Sequence, residues 1–189
     1  GTDRSQELLA SLDALTRLEP DESLRQGFAI EAAHLAYDTL QDTDGAWQRL
    51  LPLIPKDNPE AAKALSELAK ATDRGMQLAS VYVELAQQAE EDTEKQGTYW
   101  KTAAEIYETY TTEKAEALEA MLRALATNLS NETYLDEVDR LAIDNEAWRR
   151  LEQVYDTLLR NTDDPDHKVS LLFRHAAILE DKAKDASTA

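Results

Sequence analysis

The stretch AAEIYETY, residues 103–110, has two near copies in the same chain, EAAHLAYD at 31–38 and RHAAILED at 174–181. Their small and apolar positions align: Ala33, Ala104 and Ala176 are 71 and 72 residues apart, as are Leu35, Ile106 and Ile178, and Ala46, Ala117 and Ala189. A second set runs between them at steps of 73, with Leu8, Leu9 and Leu12 matching Val81, Tyr82 and Leu85, then Val154, Tyr155 and Leu158. Self-similarity at a fixed period marks a repeat array, whose units cannot bury their apolar faces alone and stack on their neighbours. A unit of about 72 residues is too long for one helix pair and fits two, one short and one long.

Around these columns the apolar residues keep helical spacing, as in Leu78, Val81, Tyr82 and Leu85 or Leu151, Val154, Tyr155, Leu158 and Leu159. That is the stripe of a helix, not the alternation of a strand. Helix starts are marked by Asn58-Pro59-Glu60 and Asp164-Pro165-Asp166, where a capping side chain precedes a proline whose missing N–H is unneeded in the first turn, and Pro20 marks a similar start. Pro52 and Pro55 should end the helix that begins near Gly45, because each removes a backbone donor. The pattern predicts ten helices, over 3–18, 21–41, 45–54, 59–72, 74–91, 94–111, 114–129, 131–143, 145–161 and 165–184. Short connections make successive helices antiparallel.

The composition agrees. Of 189 residues, 42% are hydrophobic and 31% charged, which suits a folded helical protein and excludes general disorder. Five Gly and five Pro are too few for a turn-rich β domain. The formal charge of -18 repels nucleic-acid phosphates and anionic membrane surfaces, so the partner expected is a protein or peptide of basic character, not nucleic acid. No stretch approaches the roughly 18 consecutive apolar residues of a membrane helix, so no membrane insertion is expected. Zero Cys removes disulfides, thiolate nucleophiles and cysteine metal sites but does not fix the compartment, for which the cytoplasm is slightly favoured.

At this point the residues resemble the tetratricopeptide repeat family, whose first helix follows a W-x2-L-G-x2-Y pattern. AWRRLEQVY supplies Trp148, Leu151 and Tyr155 at that spacing, AWQRLLPLI supplies Trp47 and Leu50, GMQLASVY supplies Leu78, Ala79 and Tyr82, and LEAMLRAL supplies Leu118 and Met121. The four starts, Trp47, Gly75, Leu118 and Trp148, are 28, 43 and 30 residues apart, whereas the family's regular step would be constant. The small residue is Ala79 in one copy but Leu51, Leu122 and Glu152 in the others, so the match is divergent. The alternation of short and long hairpins is similar to that in long bacterial repeat proteins of this type. The resemblance implies an all-α, right-handed superhelix of about five antiparallel hairpins spanning 1–189 as a single solenoid domain. It also implies a concave face that holds protein or peptide partners, with no chemistry of its own. The concave face, so implied, selects Gln48, Met76, Ser80, Glu84, Glu119, Arg123, Arg149, Gln153 and Asp156 as partner-binding residues.

Signals for chemistry reduce to structure. His34, His167 and His175 form no H-E-x-x-H arrangement, and His167 and His175, eight apart, cannot share one metal. Asp163-Asp164-Pro165-Asp166 is better read as a helix cap than as an aspartate-rich metal site, and Glu90-Glu91-Asp92 likewise. Asp42-Thr43-Asp44-Gly45 looks like the middle of a calcium loop, but the first and twelfth positions fall on Leu40 and Leu51. Asn128-Leu129-Ser130 and Asn131-Glu132-Thr133 match the glycosylation acceptor but sit at a predicted helix junction, where Asn and Ser cap. Trp47, Trp100 and Trp148 fall on apolar stripes as core anchors. No catalytic residue, metal or cofactor is expected. The rival readings are a structural spacer in a large multidomain protein and, more remotely, an all-helical enzyme or small-molecule sensor. The opening Gly-Thr-Asp-Arg-Ser and the closing Ala189 lead us to expect an excised piece of a longer array.

Overall fold

The computed structural model describes residues 2–188, with side chains described over 3–180. The described residues form ten α-helices and no strand: α1 Thr2–Leu18, α2 Glu22–His34, α3 Thr43–Leu50, α4 Pro59–Ala71, α5 Gly75–Gln88, α6 Thr93–Tyr110, α7 Lys114–Thr127, α8 Glu132–Asp144, α9 Trp148–Asn161 and α10 Pro165–Thr188. Two of the expected helices are divided. The stretch expected over 21–41 ends in a π-helical turn, Leu35–Thr39, and the one expected over 45–54 passes into a 3₁₀ segment, Leu51–Lys56. The prolines explain the second case: Pro52 and Pro55 cannot donate to an α ladder, and a tighter turn needs fewer donors.

Caps set most of the starts. Asp21, Asp42, Asn58, Asp92 and Asn131 each accept from the backbone N–H three residues on, at 2.9–3.1 Å. Asp164 accepts from Asp166 N at 3.0 Å, so the acidic run before α10 is a cap, as is the calcium-like loop at Asp42. The helices α5 and α9 begin differently. Asp73 and Glu146 take left-handed φ values of 55° and 53°, and the next N–H reaches back five residues, Arg74 to Ala69 O and Ala147 to Ala142 O, both at 2.8 Å. This Schellman-type reversal occurs twice, 73 residues apart, and so do the caps Asn58 and Asn131. The period read from α1, α5 and α9 therefore also relates α4 to α8.

The core is one continuous cluster built from the aligned columns. Tyr82 and Tyr155 are buried, as are Ala33 with Ala104, Ala46 with Ala117, Leu65 with Val138, and Leu68 with Leu141. Trp47 and Trp100 are core residues, and Trp148 is half-buried against the same cluster. The helices pack on their sequence neighbours. Polar ties reach one helix further: Arg49 on α3 pairs with Asp13 on α1 at 2.6 Å, Arg74 before α5 with Asp44 on α3 at 2.6 Å, and Arg140 on α8 with Glu108 on α6 at 2.7 Å. Arg150 on α9 reaches Glu119 on α7 at 3.2 Å, and Arg174 on α10 reaches Asp139 on α8 at 2.6 Å.

Candidate functional site

Two helices of the same class, α7 and α9, lie beside each other with a groove between them. On α7 the lining is Glu119, Leu122, Arg123 and Ala126; on α9 it is Arg150, Gln153, Val154 and Thr157. Each set has the spacing i, i+3, i+4, i+7, so each is one face of its helix. Leu125, Leu129 and Leu158 complete the walls, and the enclosed volume is about 320 Å³.

The apolar floor carries a small charged rim. Glu119, half-buried, receives Arg150 at 3.2 Å and Arg123 Nε at 3.7 Å. The Arg123 guanidinium also lies over the Trp100 ring, 4.9 Å from its centroid, which orients it by a cation–π contact. Glu119 is thus shared by two arginines, and the groove has a surplus of one positive charge in a chain of formal charge -18.

Of the residues expected to bind, the structure brings Glu119, Arg123 and Gln153 together in this groove. Gln48, Met76, Ser80 and Glu84 are exposed on α3 and α5, outside it. Gln48 lines a separate cavity of about 270 Å³ with Arg49 and Lys56, and the Ser80 hydroxyl donates to Met76 O at 3.0 Å within its own helix. Asp156 is exposed and pairs with Arg160 at 3.4 Å. Arg149 is exposed outside the groove, and its neighbour Arg150 takes the rim position. The four-residue face of α9 was readable from the spacing, but Val154 had been counted as core.

A second polar constellation has no counterpart in the sequence reading. Asp139 on α8 is 6% exposed and accepts at Oδ2 from Tyr155 O–H on α9, at 2.8 Å, and from Arg174 Nε on α10, at 2.6 Å. Arg174 also reaches Asp136 at 2.7 Å and Glu132 at 3.7 Å, and His175 stacks on Tyr155 with ring centroids 4.5 Å apart. Burial holds the Asp139 carboxyl above its ordinary range, against the pull of both donors. Burial, with the bond to Asp139, pushes the Tyr155 phenol up. The cluster joins three helices and has no opening to a cavity among those described, which makes it a clasp and not a site.

Among the described residues no group of three or more His, Asp or Glu is placed to hold a metal ion, and no helix is long and apolar enough to cross a membrane. No protein-family model matches the chain, and comparison with curated proteins and with solved structures finds no match.

Proposed function

We propose that this chain is an α-solenoid of tetratricopeptide type, about five hairpins in a right-handed superhelix, and that it works as a protein-interaction module whose docking groove lies between α7 and α9. The solenoid reading is supported by the ties that join each helix to the one after next and by the reversals at Asp73 and Glu146. The observation that carries the functional reading is the groove itself, two matched helical faces enclosing an apolar channel with a few fixed polar groups.

A peptide or helix with apolar anchors fits such a channel, its side chains at helical spacing meeting Leu122, Val154 and Leu158. The acidic remainder of the molecule acts at longer range. It steers a partner whose flanks are basic, while the groove supplies the contact. The expected division is an association rate that falls with added salt and a dissociation rate that follows the apolar lining.

Affinity capture from an extract, at low and high salt, tests this with two variants alongside the native chain. Ala126→Glu and Thr157→Glu place a carboxylate in the groove at exposed positions, where folding is not at risk. One stoichiometric protein, retained by the native chain and lost from both variants with unchanged thermal melts, supports the reading. A protein retained equally by all three moves the docking site elsewhere, and nothing specific retained favours the spacer.

A further inference from the structure

Eight of the ten large hydrophobic residues that are exposed among the described ones lie at the two ends of the helix series: Leu8, Leu15 and Leu18 on α1, Leu24 on α2, and Val169, Leu172, Phe173 and Leu179 on α10. The internal repeat says what such positions do when covered. By the 71- and 72-residue register, Leu172 on α10 stands where α2 has Ala29 and α6 has Trp100. Those two are 5% and 7% exposed beneath α3 and α7, whereas Leu172 is 53% exposed. Phe173, 75% exposed, corresponds to Ile30, which is 4% exposed, and to Lys101. The α10 face is therefore an interface of the α2–α3 and α6–α7 kind that lacks its following helix.

At the other end α1 is of the α5 and α9 class, whose members pack on the helix before them. Its sequence departs from theirs in one direction. Leu15 stands where the later copies have Gln88 and Asn161, and Leu18, 80% exposed, where they have Glu91 and Asp164. The α1 surface carries leucine at positions that are polar elsewhere in the repeat, which is the change expected of a face that is covered.

We propose that copies of this chain associate head to tail, the α10 face of one seating against the α1 face of the next. The inference rests on the repeat reading. A second copy is the occupant because one molecule carries both halves of the interface: a face without its follower and a face without its predecessor. Joining them continues the packing already present inside the chain and covers both apolar surfaces. Such a contact is heterologous, so it does not close on itself at two copies but grows to a ring or a filament.

Sedimentation equilibrium of the full chain over a wide concentration range reads this directly. The native chain is expected to exceed the mass of a dimer as concentration rises. The double variants Leu172→Glu/Phe173→Glu and Leu15→Glu/Leu18→Glu, all at exposed positions, are each expected to sediment as single chains with native helical circular dichroism. Mixed together, they are expected to form a one-to-one complex that grows no further, because each keeps one good face. A native chain that stays single at every concentration overturns the proposal, as does a dimer that the α1 variant leaves intact or an inert mixture. Ala126→Glu is expected to leave the sedimentation unchanged, so failure of self-association is separable from failure of the groove reading.

Discussion

The Tyr155 hydroxyl on α9 donates to Asp139 Oδ2 on α8 at 2.8 Å, and the oxygen that accepts it also accepts Arg174 Nε from α10 at 2.6 Å. One carboxylate thus fastens the last three helices, in the part of the chain where the apolar core is thinnest: α9 buries Leu151, Tyr155 and Leu158, and the described part of α10 only Leu171. Tyr155→Phe removes the donor while keeping the ring that stacks on His175. A hydrogen bond to a charged acceptor is worth about 1.5–3 kcal/mol, and that loss is expected in urea denaturation.

Two carboxylates give opposite signatures with pH. Asp139 is held above its ordinary range by burial, so the folded state binds its proton more readily than the unfolded chain does. Its contribution is complete below its unfolded value and is lost as pH rises through the folded one. The native chain should therefore lose stability relative to Asp139→Asn as pH rises. Glu108 is held below its ordinary range, chiefly by the hydrogen bond from Arg140 against an opposing burial effect. Its contribution is present above its unfolded value and lost as pH falls through the folded one. Glu108→Gln should cost less than about 1 kcal/mol at neutral pH, as for any exposed pair, and nothing in acid. Urea midpoints from about pH 3 to about pH 8 check both.

Gly75 opens α5 against the end of α6, where a β-carbon would lie 2.6 Å from the Tyr110 carbonyl oxygen and 2.7 Å from its Cβ. Backbone cannot yield as a flexible side chain does, so Gly75→Ala should destabilise by about 1–3 kcal/mol, the usual cost of overpacking. Gly27, inside α2, has nothing within 4 Å of such an atom. There Gly27→Ala should stabilise by about 0.5–1 kcal/mol, since alanine loses less backbone freedom in a helix. Opposite signs from one substitution type, read by thermal denaturation, test the close approach.

The left-handed residues between helices divide in the same way. Glu146 has φ of 53° and its side chain has no hydrogen bond among those described. Glu146→Gly removes a strain of about 1–2 kcal/mol and returns part of it as unfolded-chain entropy, for an expected gain of about 0.5–1 kcal/mol. Asp57, at φ 55°, uses its carboxylate: Oδ1 accepts from Tyr99 O–H at 3.2 Å and Oδ2 from Lys95 Nζ at 2.8 Å. Asp57→Gly relieves the same strain but cuts the tie to α6, so it should gain less than Glu146→Gly in the same melt.

The helices were legible because their punctuation is chemical. Asn58-Pro59 and Asp164-Pro165 announce starts in any context, and the starts observed fall within three residues of those read from the sequence. The reversals at Asp73 and Glu146 were not legible, since an acidic residue gives no turn signal and only the backbone bonds to Ala69 and Ala142 reveal the motif. The clasp was hidden for a related reason. Asp139 lies in DEVDR, a run that reads as a solvated face, and only the placement of Tyr155 and Arg174 buries it. In the groove, Glu119, Arg123 and Gln153 were found because they flank core positions, but the choice between Arg149 and Arg150 depends on helical phase. One residue is about 100° of rotation in a helix of 3.6 residues per turn.

That rotation supplies the last prediction. Arg150 ties α9 to Glu119 on α7 and stands at the groove rim, whereas Arg149, adjacent in sequence, lies outside it. Arg150→Glu puts two carboxylates where an ion pair was, and it should cost about 1 kcal/mol of stability, the upper end for an exposed pair. It should also weaken retention of any partner whose capture depends on Ala126 and Thr157. Arg149→Glu adds the same charge change to the molecule and so alters long-range steering equally, but it should leave stability within about 0.5 kcal/mol of native and retention intact. Equal losses from the two reversals would mean that net charge, not groove geometry, governs binding.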